Sequence, residues 1–126
     1  MLTLPPSVRI YLSAESVDLR KSIDGLSALV RTQGHDVYSG ALYVFRGRRA
    51  DRVKILVWDR GGFVVYYKRL EQGRFRWPEV DAQASEVELS AVQLSMLLSG
   101  LELSVGKEPR RWEPARHKEL DRDRQM

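Results

Sequence analysis

The hydrophobic pattern is strongest between residues 41 and 78, where β-branched and aromatic side chains form successive short runs. The runs cover Leu42–Phe45, Val53–Trp58 and Phe63–Leu70, and a shorter one covers Arg74–Trp77. Links of only a few residues, rich in turn-forming types, separate the runs. Such links are too short for the crossover that parallel strands need, so the pattern predicts an antiparallel meander.

An earlier strand is predicted over Val8–Leu12, where Val8, Ile10 and Leu12 alternate with Arg9 and Tyr11. This period of two is typical of a strand with one buried face. We expect the strand to join the same sheet, at one of its edges.

Two segments have the periodicity of amphipathic helices. The first begins at a cap formed by Ser16 or Asp18 and ends at Gly34. The second begins at Ser90, which is followed three residues later by a glutamine in a capping-box pattern, and ends at Gly100. The apolar stripes consist of Leu19, Ile23, Leu26 and Val30 in the first helix and Leu94, Leu97, Leu98 and Leu101 in the second.

These elements predict an α+β fold with an antiparallel sheet of about four to five strands and two helices packed on one face. The chain of 126 residues is long enough for one domain with its own core. We expect that domain to span residues 1–113. Residues 114–126 are charged and poor in apolar side chains, so they are expected to form a disordered tail.

Charge is distributed unevenly along the chain. Residues 41–78 contain ten basic and three acidic residues, a net charge of +7, although the whole chain has a net charge of only +4. Residues 79–108 are correspondingly acidic. A positive patch concentrated on a sheet indicates a polyanionic partner, and DNA is the expected one.

The most concentrated basic element is the loop Arg46-Gly47-Arg48-Arg49, and its three guanidinium groups are expected to project from between two strands. Guanidinium groups suit phosphate oxygens and guanine edges. The alternative is a solvated hairpin loop with a local pairing of Asp51 and Arg52.

A second basic group lies on the predicted sheet. If the hairpin register permits, Lys54, Tyr66, Lys68 and Trp58 share one exposed face, where cations contact phosphates and rings stack on bases. The alternative is that these cations keep the sheet soluble and the rings pack across strands. The candidate nucleic-acid contacts are Arg46, Arg48, Arg49, Arg52, Lys54, Lys68, Arg69, Arg74 and Arg76.

No residue pattern predicts catalysis or a cofactor. The spacing of Asp18, Asp24, Asp51 and Asp59 does not require them to converge on metal ions. The chain lacks cysteine and its two histidines are far apart, so no metal site is expected. The lack of cysteine, of a signal peptide and of a long apolar run favours a cytoplasmic protein without a membrane partner.

Two blocks of the sequence resemble a known family. Residues 45–63 read F-R-G-R-R-A-D-R-V-K-I-L-V-W-D-R-G-G-F, residues 66–78 read Y-Y-K-R-L-E-Q-G-R-F-R-W-P, and residues 18–26 read D-L-R-K-S-I-D-G-L. The chain resembles, over residues 4–113, the TnpB accessory proteins that bacterial insertion sequences of the family numbered sixty-six encode beside their transposase. These proteins are unrelated to the RNA-guided nuclease that shares the name TnpB.

The resemblance implies a role in transposition, in which the protein assists a separately encoded transposase. It also draws attention to Arg20 and Lys21. These cations either contact a partner's acid or a phosphate, or Arg20 pairs with Asp24 along a helix. We therefore expect a non-catalytic protein that binds DNA alongside the transposase. The alternative is an adaptor that binds other transposition proteins without touching DNA. The oligomeric state and the choice between single- and double-stranded DNA stay open.

Overall fold

The protein is described by a computed structural model that covers residues 7–100. The elements in chain order are β1 (Ile10–Ser13), α1 (Ile23–Thr32), β2 (Leu42–Arg46), β3 (Arg52–Asp59), β4 (Gly62–Arg69), β5 (Glu86–Leu89) and α2 (Ala91–Leu98). The strands form one five-stranded sheet in the order β4-β3-β2-β1-β5. The predicted domain boundary at residue 113 and the predicted tail lie outside the described residues.

The α+β class and the meander are confirmed. Strands β2, β3 and β4 follow one another antiparallel, as their short links require. Strand β1 pairs parallel with β2 and antiparallel with β5. The expectation of an edge position for β1 is therefore wrong. Its residues Ile10 and Leu12 are almost fully buried, because strands flank β1 on both sides and both side chains belong to the core under α2.

The prediction that both helices pack on one face is wrong. Leu42 and Val44 of β2 belong to the core under α2, whereas Tyr43 and Phe45 belong to a second core under α1. Alternate side chains of a strand point to opposite faces, so the two helices cover opposite faces of the sheet. The parallel pairing of β1 and β2 explains the position of α1, because the chain must cross one face to connect them.

Strand β5 replaces the short strand predicted over Arg74–Trp77. The chain there forms no strand, but Phe75 is buried and its N–H donates to the carbonyl oxygen of Ala50 at 2.8 Å. The fifth strand comes instead from Glu86–Leu89, where Val87 and Leu89 pack against the core under α2.

Helix α1 begins later than predicted, with Ser22 at its N-cap position. Asp18 does not cap it, because its carboxylate accepts bonds from the backbone N–H and guanidinium of Arg20. Helix α2 begins as predicted: Ser90 Oγ accepts a bond from the Gln93 N–H at 3.1 Å, and Gln93 Oε1 accepts one from the Ser90 N–H at 2.8 Å. Gly34 and Gly100 follow the helices at positive φ, as expected of helix stops.

Candidate nucleic-acid interface

The loop between β2 and β3 is fixed by the chain that follows β4. Ala50 lies in this loop with a φ of 62°, a conformation that L residues rarely adopt. Its carbonyl oxygen accepts bonds from the Phe75 N–H at 2.8 Å and from Trp77 Nε1 at 3.2 Å. These two bonds explain why the strained conformation is retained, and they fix the backbone of the loop that carries Arg48 and Arg49.

The segment from Val17 to Lys21 lies against the same loop. The Val17 N–H donates to the carbonyl oxygen of Arg46 at 2.9 Å, and Lys54 Nζ donates to the carbonyl oxygen of Lys21 at 3.0 Å. A Cβ at Gly47 would lie 3.2 Å from Leu19 Cδ1, so the glycine allows this close packing. The two sequence blocks singled out above therefore meet in space.

Between them lies an open cleft of about 860 Å³, here called the basic cleft. The sheet contributes residues of β3 and β4, the β2–β3 loop forms one side, and the segment before α1 forms the other. Five cations and two carboxylates line it, so its net charge is +3. The lining residues are Val17, Asp18, Leu19, Arg20, Gly47, Arg48, Arg49, Asp51, Arg52, Lys54, Val65 and Tyr67.

The two carboxylates of the cleft each face an arginine. Asp18 Oδ2 lies 2.7 Å from a terminal guanidinium nitrogen of Arg20, and this hydrogen bond holds the pKa of the Asp18 carboxyl well below its usual range. The same contact raises the pKa of Arg20. Asp51 Oδ1 and Arg52 Nε are 3.9 Å apart, which makes a looser pair. Asp18 is therefore an anion bound to Arg20, and the alternative pairing of Arg20 with Asp24 is not formed.

Arg48 and Arg49 differ from the other cations of the cleft. Both are exposed, and within residues 7–100 neither guanidinium has a hydrogen bond or an ion pair. An arginine fork without a protein acceptor at the rim of a positive cleft is available to a phosphate group. Among the cations that line the basic cleft, these two side chains are the ones left available to an anion.

The structure brings together only part of the predicted contact set. Arg48, Arg49, Arg52, Lys54 and Arg20 line the basic cleft. Lys21 contributes its carbonyl oxygen to Lys54 but does not line the cleft. Arg46 ends β2, and its guanidinium donates to the carbonyl oxygen of Ala14 at 2.7 Å, so it does not project with the loop as predicted.

The remaining predicted contacts lie elsewhere. Lys68 is on the face covered by α2, where its ammonium donates to the carbonyl oxygen of Leu98 at 2.6 Å. Arg69 lies two positions after the cleft residue Tyr67 on β4, but it does not line the cleft, and its guanidinium is 2.8 Å from a carboxylate oxygen of Glu71. Arg74 and Arg76 are exposed on the segment that follows β4, outside the cleft lining.

One prediction about the sheet is wrong: no single face carries Lys54, Tyr66, Lys68 and Trp58 together. The register pairs Lys54 with Tyr67 and Trp58 with Phe63, which places Tyr66 and Lys68 on the opposite face. Tyr67 is the cleft residue that sequence reasoning missed. The alternation of β4 was visible in the sequence, but its partner in β3 depends on the turn between the two strands.

Within residues 7–100, no group of three or more histidines or carboxylates is arranged to hold a metal ion. The same part of the chain contains no helix with the length and apolar character that a bilayer crossing requires.

Comparison with known proteins gives a family but no solved structure. The family model described as IS66 Orf2 like protein matches residues 8–108. The uncharacterized protein y4jC of Sinorhizobium fredii is 36% identical over 96 residues, which cover 75% of this chain and 80% of that protein. The uncharacterized protein y4hO of the same organism is 32% identical over 117 residues, or 92% of this chain and 98% of that protein. No solved structure matches the chain.

Proposed function

Because the chain belongs to the IS66 Orf2-like family, whose members have an accessory role in transposition, we propose that it supports this process by binding DNA in the basic cleft without catalysing a reaction. The observation that carries the proposal is the pair of exposed arginines, Arg48 and Arg49, at the rim of a cleft lined by three further cations. The separately encoded transposase is the expected protein partner.

The geometry supports phosphate binding in two ways. The β2–β3 loop is held by the Ala50 carbonyl, so the backbone beneath Arg48 and Arg49 loses little conformational entropy when their side chains engage an anion. The cations also come from separate segments, the β2–β3 loop with β3 and the residues before α1, so they surround the cleft from two sides. A backbone of regularly spaced phosphates suits this arrangement better than a single small anion.

The carboxylates of the cleft are poorly suited to proton transfer. A general acid or base needs a pKa near the working pH, whereas the contact with Arg20 lowers the pKa of Asp18. Asp51 faces Arg52 rather than a second carboxylate. We therefore expect purified protein to leave linear and supercoiled DNA uncut and unjoined in the presence of Mg²⁺ or Mn²⁺, as measured on gels. Cleavage that Asp18→Asn or Asp51→Asn abolishes would contradict the non-catalytic proposal.

The binding proposal is tested by measuring affinity for DNA across a salt series. Arg48→Gln combined with Arg49→Gln removes both rim guanidiniums. Each lost phosphate contact should reduce the slope of log affinity against log salt by about 0.9 on duplex DNA or about 0.7 on single strands. The double variant should therefore lose between about 1.4 and 1.8 from the slope, equally on all sequences.

The charge-matched control is Arg31→Gln combined with Arg60→Asn. Arg31 is exposed on α1, and Arg60 lies in the β3–β4 turn with a φ of 43°, which asparagine tolerates. This control should change the slope much less, since neither residue lines the cleft. An equal reduction of the slope in both double variants would show that DNA binding depends on net charge and not on the cleft.

If the parent protein binds no DNA at low salt, the adaptor function becomes the leading candidate. One feature of the fold would serve it: β4 is an edge strand of eight residues in the described sheet. Edge strands can accept a strand from another protein through main-chain hydrogen bonds.

A further inference from the structure

We propose that the basic cleft takes single-stranded DNA, with one unpaired base stacked on the ring of Tyr67 and the neighbouring phosphates bound by Arg48, Arg49 and Arg52. This inference rests on the proposed function, because it assumes that the cleft binds DNA. It adds the kind of DNA and a residue that contacts a base.

Tyr67 has the position that such a contact needs. It lies on β4, at an edge of the sheet, so no further strand of the described chain flanks its outer side. The residue is 46% exposed although its ring lines a cleft. Its cross-strand partner is Lys54, whose ammonium is 5.5 Å from the ring centroid. The Lys54 ammonium lies over one face of the ring and is fixed there by the carbonyl oxygen of Lys21, so a base would stack on the opposite face.

The combination of a ring and cations in a recess favours an unpaired strand. In duplex DNA the faces of the bases are covered by their neighbours, so a ring inside a cleft has no base face to reach. Duplex phosphates would meet only the rim, where Arg48 and Arg49 are exposed. A single strand can enter the cleft, turn a base towards Tyr67 and leave its phosphates against the cations. Stacking of this kind tolerates every base, because each base has a π-face.

Within residues 7–100, the other exposed aromatic residue does not combine these features. Tyr38 is 53% exposed but packs edge-on against Trp58, away from the cleft cations. It therefore provides a matched control: an exposed tyrosine on the protein surface without a basic cleft around it.

The test compares a mixed-sequence single-stranded oligonucleotide with a duplex of the same length, at one salt concentration. The parent protein should bind the single strand more tightly. Tyr67→Leu should weaken single-strand binding by about 5- to 150-fold, the factor expected for loss of one base–aromatic stack. Its effect on duplex binding should be small. Tyr67→Phe retains the ring and should retain the affinity, while Tyr38→Leu should bind like the parent.

A second arm uses the parent protein alone, so it does not depend on the folding of a variant. A strand of the same length with abasic sites keeps every phosphate but offers no base to stack, and it should bind about as weakly as the normal strand binds to Tyr67→Leu. Duplex binding equal to or tighter than single-strand binding, or full affinity for the abasic strand, would overturn this inference and leave the basic cleft as a duplex site. No binding to either DNA at low salt would overturn the proposed function as well.

Discussion

Residues of the same type have different roles in the arginine-rich loop and its flanks. Arg46 donates to the carbonyl oxygen of Ala14 and is partly buried, whereas Arg48 and Arg49 are exposed at the cleft rim. Composition cannot distinguish them, because the acceptor of Arg46 lies more than thirty residues earlier in the chain. Only the fold shows that one of the three arginines is structural.

This difference predicts unequal effects on stability. Arg46→Ala removes a charged hydrogen bond and leaves the Ala14 carbonyl without it, so the free energy of unfolding should fall by about 1–2 kcal/mol. Arg48→Ala should change it by less than about 0.5 kcal/mol, as for other exposed side chains. Urea denaturation of the two variants and the parent checks both values. A loss at Arg48 as large as the loss at Arg46 would show that the rim arginine has a structural partner.

At the scale of elements, the sequence predicts correctly those helices and strands whose signals lie close together in the chain. The strands of the meander and the capping box of α2 are visible because turn residues, alternation and a cap all lie within a few positions of one another. The predicted start of α1 is wrong because Asp18 has the chemistry of a cap but binds Arg20 instead. Strand β5 was missed because four residues in an acidic segment give too weak a pattern without knowledge of β1.

The candidate site shows the same limit. The charge pattern identifies Arg48, Arg49, Arg52 and Lys54, and the family resemblance draws attention to Arg20. All five line one cleft. The predicted pairing places Tyr66, and not Tyr67, on the face that carries Lys54. A shift of one residue in strand pairing is enough for this error, because it moves every side chain of the strand to the other face. That register follows from a turn in which Arg60 and Gly61 both have positive φ, a detail that the sequence does not specify.

The capping box of α2 gives a prediction at this scale. Ser90→Ala removes the oxygen that accepts the Gln93 N–H, so the free energy of unfolding should fall by about 1 kcal/mol. Ser95→Ala makes the same chemical change at an exposed position inside the helix, where alanine is favourable, and should be neutral or slightly stabilising. Denaturation curves of the two variants provide the comparison. Equal losses would mean that the cap bond adds nothing beyond the serine side chain itself.

At the scale of the whole molecule, the two faces of the sheet have different surroundings. One face and α2 enclose a core that includes Phe75, while the other face continues past α1 into the basic cleft. The strands that line the cleft are therefore held in place by the core on their opposite face. Substitutions at its rim can change binding without disturbing either core.

The central position of β1 also affects how the protein is made. The strand precedes the other four described strands in the chain, its neighbours β2 and β5 come much later, and the ion pair between Arg9 and Glu88 joins residues 79 positions apart. A nascent chain that has emerged as far as β4 would already contain every residue that lines the basic cleft, but β1, paired with β2 on one side, would still be an edge strand on the side of β5. Folding of the sheet can be completed only after β5 and α2 emerge, so premature termination before residue 86 would yield a chain that carries the arginines of the basic cleft but remains open to aggregation and proteolysis.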